Sequence, residues 1–63
     1  MMDEKKVIDR AYEDALCNLF KVFLESYTSA QGNASEEQKA ENRFCNGLKH
    51  LRRVHSRAIE LLA

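Results

Sequence analysis

Four side chains in this sequence are of kinds that bind metals or attack substrates: Cys17, Cys45, His50 and His55. A metal site needs several such groups converging from closely spaced backbone positions. Here the cysteines form no C-x-x-C pair, and the histidines stand five residues apart, about 140° around a helix. There is no Glu-x-x-His pair of the di-iron bundle type. We therefore expect no metal and no cofactor. A reactive thiol needs an oriented base or a depressed pKa. Cys17 has no base at helical spacing, and Cys45 has Arg43, Lys49 and Arg52 nearby but nothing that supplies a pocket. The expectation is two inert thiols at the edges of a core, no catalytic residue, and hence no enzyme.

His55 is set apart by its place in an apolar series, between Leu51 and Ala58. If the chain doubles back on itself, His55 comes level with Asp9, Arg10 and Glu13. The expected role is a core-edge histidine hydrogen-bonded to one of those two carboxylates, with a pH-responsive interface as the sharper alternative.

Charge is the other chemistry-bearing feature. Ten acidic and ten basic side chains cancel over the chain, so total charge points to no class of partner. Their distribution does. Residues 1 to 31 carry a net charge of minus two, residues 32 to 63 carry plus two, and from Arg43 to Arg57 there are five bases and no acid. On a helix, Arg43, Asn46, Lys49, His50, Arg53 and Arg57 share one outer face. Arg43, Lys49, Arg53 and Arg57 are thus the candidate face for nucleic-acid phosphates or an acidic partner. The plainer expectation is a solvated face partly neutralised by Asp3, Glu4, Asp9, Glu13 and Asp14 at the start of the chain. The five aromatics, Tyr12, Phe20, Phe23, Tyr27 and Phe44, fall on apolar faces, which leaves none to stack on bases.

The elements that position these groups are helices. The chain has no proline, and Ala, Leu, Glu, Lys and Arg, all good helix formers, dominate it. Ile8, Tyr12, Leu16, Leu19, Phe20, Phe23, Leu24 and Tyr27 fall in one arc of about 160°, wider than one neighbouring helix would cover. Opposite them lie Arg10, Asp14, Asn18, Lys21 and Glu25. A first helix is expected over about residues 3 to 30, a turn over about 31 to 35 and a second helix over about 36 to 62. Gly32 suits a left-handed helix stop. Ser35-Glu36-Glu37-Gln38 fits a capping box, and two acids in a first turn suit the helix dipole. Asn33-Ala34-Ser35 matches the N-glycosylation pattern and is read as part of the turn.

In the second helix Phe44, Leu48, Leu51, His55, Ala58 and Leu62 recur at coiled-coil spacing, flanked by Ala40 and Ile59. A break at Asn46-Gly47 is the competing reading. The phase runs through Gly47 undisturbed, so one helix with a close-packed glycine is favoured.

At 63 residues the chain is one domain that hides only about 60% of its unfolded surface. Small domains of this kind need a staple. Cys17 would lie further from the turn than Cys45, which disfavours a disulfide between them. A partner is the remaining staple. No apolar run is long enough to span a membrane, and no signal-peptide core precedes the first helix, so a cytoplasmic location with reduced thiols is expected.

These readings converge on an all-α, antiparallel two-helix hairpin, residues 1 to 63, that pairs with a second copy as a homodimeric four-helix bundle. The expected interface comprises Leu16, Phe20, Phe23, Leu24, Tyr27, Phe44, Leu48, Leu51 and His55. The expected function is a non-catalytic protein-interaction or regulatory module, whose partner is itself or another helical protein. Nucleic-acid binding through Lys49, Arg53 and Arg57 is the alternative.

Overall fold

The computed structural model describes residues 2 to 63; Met1 lies outside it. Two helices, α1 (Glu4–Ser29) and α2 (Ala34–Leu62), pack against each other as a hairpin. Asp3 starts α1 by accepting hydrogen bonds from the Lys5 and Lys6 amides, which would otherwise lack partners in the first turn. The helix stops after Ser29. The Ala30 amide still reaches Ser26 O at 3.1 Å, and Gly32 takes φ +84° to reverse the chain.

The restart differs from the capping box expected at Ser35. Asn33 is the cap: its Oδ1 accepts from the Glu36 amide at 3.2 Å, and α2 therefore begins at Ala34. Ser35 falls inside the first turn, and Gln38 donates to Asn42 Oδ1 instead of reaching back. Two good capping residues sit two positions apart here. The upstream one is selected because Gly32 has already turned the chain and Asn33 has the extended backbone a cap requires.

No break occurs at Asn46-Gly47; α2 is continuous to Leu62. Gly47 faces α1 so closely that a Cβ built on it would lie 2.7 Å from Leu19 Cδ1. Ala40, expected at the flank of the seam, is its most buried member at 2% exposure, and Ala30 follows at 6%. Small residues thus line the contact. Phe23 meets Phe44 with ring centroids 4.7 Å apart, and Tyr12 meets His55 at 4.4 Å. Leu62, expected in the seam, is exposed at the end of α2.

The hairpin is one helix layer thick. Its Cα extents are 50 × 18 × 6 Å and its radius of gyration is 14.9 Å, against about 11 Å for a compact chain of this length. No helix among the described residues is long and apolar enough to cross a membrane.

Two consequences are measurable by denaturant unfolding. Replacing Asn33 with Ala should cost about 1 kcal/mol, whereas Ser35→Ala should leave stability almost unchanged. Gly47→Val should destabilise because Leu19 occupies the space of the new side chain. Combined with Leu19→Ala, its cost should fall well short of additive, the mark of two residues that compete for one space.

Candidate functional site

The seam uses only part of the apolar surface. Phe23, Phe44, Leu48, Leu51 and His55 are half-buried between the helices, as is Leu16. Phe20 and Leu24 are 51% and 53% exposed, and Tyr27 is exposed beside Phe23, 5.3 Å from it between ring centroids. Phe20 and Tyr27, expected in an interface between two hairpins, thus lie outside the seam of the single hairpin. The physical reason is the width of the α1 arc. Ala40 and Gly47 let α2 seat itself on the Leu19–Phe23 side, and one helix cannot reach round to the other side as well.

Two faces of the flat hairpin follow from helical periodicity. One carries Val22 and Arg43 near the turn, and Ala11, Ala15, Val54 and Ala58 near the open end. A shallow groove of about 210 Å³ lies among Ile8, Ala11, Tyr12, Ala15, Val54 and Ala58. Sequence reasoning missed it, because Val54 sits beside His55 but outside the heptad-like series. The other face carries Phe20, Leu24 and Tyr27 from α1, and Glu41, Cys45 and Arg52 from α2.

The surface left uncovered is large. The chain exposes 5254 Å², whereas a compact monomer of 7.3 kDa exposes about 4,200 Å². The excess, about 1,100 Å², is comparable to the roughly 800 Å² that each partner contributes to a standard stable interface.

Polar contacts across the seam concentrate at one point. His55 Nε2 donates to Asp9 Oδ1 at 2.8 Å, and Lys5 Nζ holds the other carboxylate oxygen at 3.1 Å. The hydrogen-bonded core-edge histidine expected from the sequence is therefore present, with Tyr12 packed on its ring. The His55 hydrogen bond, followed by that of Lys5, holds the Asp9 carboxyl below its ordinary value.

The basic stripe is less neutralised than expected. Among the described residues, Asp9–His55 is the one side-chain hydrogen bond that joins the helices. Arg57 pairs with Glu60 at 3.0 Å and Lys39 with Glu36 at 3.2 Å, both within α2. Among the described residues, Asp3, Glu4, Glu13 and Asp14 form no ion pair with the stripe. Lys49, Arg52 and Arg53 have no carboxylate partner within the described chain. Cys17 and Cys45 are free and exposed. No group of three His, Cys, Asp or Glu among the described residues is placed to hold a metal ion.

No protein-family model, curated protein or solved structure matches the chain.

Because its carboxyl titrates low in the folded state, Asp9 contributes stability that is present above its unfolded value, near 3.8, and is lost as pH falls through its folded value. NMR titration of the Asp9 side chain should place its midpoint below 3.8. His55→Leu should raise that midpoint more than Lys5→Met does. The reverse order would show that His55 is not the main anchor.

Proposed function

We propose that this protein is a small, non-catalytic helical interaction module whose working form is two hairpins paired as a four-helix bundle. The observation that carries this reading is the exposed set Phe20, Leu24 and Tyr27 on a hairpin only one layer thick. Soluble monomers seldom leave contiguous aromatic and aliphatic side chains in water on this scale. A second layer would cover them and would account for the excess surface. The same layer would supply the stability that so small a chain lacks.

A regulatory role fits this design. When a bundle folds only as it assembles, its folded fraction depends on concentration and on any competing helical partner.

A second reading is favoured by Lys49, Arg52 and Arg53, which have no carboxylate partner among the described residues. A stripe of Arg43, Lys49, Arg53 and Arg57 along α2 suits nucleic-acid phosphates.

Sedimentation velocity over a wide concentration range tests the first reading. The wild-type chain should sediment as a dimer, and Leu24→Asp should shift it toward monomer with loss of helicity at low concentration. A well-folded monomer at every concentration would overturn the proposal. Fluorescence anisotropy with mixed RNA and DNA at two salt concentrations tests the second. Tight, salt-sensitive binding that is lost in the Arg53→Glu, Arg57→Glu double variant would establish it. No wild-type binding at low salt would remove it.

A further inference from the structure

The face that carries Phe20, Leu24 and Tyr27 also carries a charge pattern, and the two features agree on a single point. Tyr12 is level with His55, Leu19 with Gly47 and Phe23 with Phe44. Each step along α1 is therefore one step back along α2, and Val22 is level with Cys45. On α1, Phe20 and Leu24, the two most outward apolar residues of this face, are centred on position 22. On α2, the edge of the same face changes sign along its length, with Glu37 and Glu41 toward the turn and Lys49 and Arg52 toward the open end. Glu41 and Lys49 are centred on position 45. The apolar centre of one helix and the charge-reversal point of the other thus lie at the same height.

Resting on the reading that the working form is a pair of hairpins, we infer that a second copy of this chain docks on this face in antiparallel orientation. The two-fold axis crosses the hairpin at the level of Val22 and Cys45. Rotation about that axis lays α1 on the partner's α1 and α2 on the partner's α2. Phe20 of each copy then meets Leu24 of the other, and Leu16 and Cys17 come to the level of Thr28 and Tyr27. On the second helix pair, Glu41 of each copy faces Lys49 of the other, with Arg52 one turn away. Because a two-fold interface is isologous, every such contact occurs twice.

The other two-fold arrangement, with the turns together, stacks α1 on the partner's α2. That would lay Leu24 and Tyr27 over Glu37 and Glu41, setting apolar side chains against unpaired carboxylates. Charge complementarity and apolar matching therefore select the same orientation. Among the described residues of one chain, Glu41, Lys49 and Arg52 make no ion pair, so all three are available to a partner. About 1,100 Å² of excess surface per chain is of the size that a stable interface removes.

Thiol cross-linking reads the orientation directly. In the antiparallel pair the two Cys45 residues face each other across the axis on neighbouring helices about 8–10 Å apart. The two Cys17 residues lie five positions to either side of it, about 15 Å apart along the axis. In the Cys17→Ser chain, bismaleimidoethane at low protein concentration should convert most of the protein to a covalent dimer through Cys45. In the Cys45→Ser chain it should give little. Charge exchange supplies a second, independent readout. Glu41→Lys and Lys49→Glu should each weaken dimerisation severalfold in sedimentation equilibrium at low salt, and the double variant should restore it. A dimer that cross-links through Cys17 rather than Cys45, or one whose affinity ignores both charge variants, overturns this arrangement but leaves the self-pairing reading standing. A well-folded monomer overturns both.

Discussion

Ala30, Ala40 and Gly47 set how the two helices approach each other, and most other features of the hairpin follow from that approach. Small side chains at the contact let the α2 backbone settle against Leu19, and a Cβ at Gly47 would fit only if the Leu19 side chain shifted. A close approach makes a narrow seam. It is tight enough to bury Ala40 almost completely, yet it reaches only one side of the broad apolar arc on α1. The larger side chains are therefore divided: Phe23 and Phe44 pack between the helices, while Phe20 and Leu24 are left outside.

The seam is also graded from end to end. Near the turn it is held by the contact of Phe23 with Phe44, and near the open end by a hydrogen-bonded ring. His55 is anchored there to Asp9, and Asp9 to Lys5, with Tyr12 packed against the imidazole. An apolar contact tolerates sliding by a residue or so, whereas a 2.8 Å hydrogen bond does not. The Asp9–His55 bond therefore adds a directional constraint on the height of α1 against α2, beside the close contact of Leu19 at Gly47. A polar residue in an apolar seam commonly serves to specify register at some cost in stability.

Much of this was legible in the sequence because helical period and chain reversal are strong constraints. Gly32 located the stop, the phase from Phe44 through Leu51 carried α2 across Asn46-Gly47, and doubling back at that stop brought His55 to Asp9. What was not legible depended on choices between neighbours of equal chemistry. Asn33 and Ser35 are both good caps, and only the conformation of the preceding turn decides between them. Likewise the α1 arc announced its width but not which edge would meet α2. That rotation is set by the fit of Leu19 against Gly47, which periodicity alone does not contain. Among the described residues, no ion pair joins the α2 bases to the acids at the start of α1. Being level along the axis does not make two side chains face each other around it.

Register within the hairpin and pairing between hairpins are then linked by geometry. A bundle of two copies works only if features on α1 and on α2 fall at compatible heights, since one rotation must satisfy both helices at once. The relative height of the helices is constrained within the hairpin by contacts that include the bond of His55 to Asp9. A slip of one residue in that register would displace the charges of α2 by about 1.5 Å relative to the apolar residues of α1. It would also rotate side chains away from the face they share. The half-buried polar contact at the open end, modest in its own energetic contribution, thereby bears on the level at which the apolar residues of α1 stand against the charges of α2.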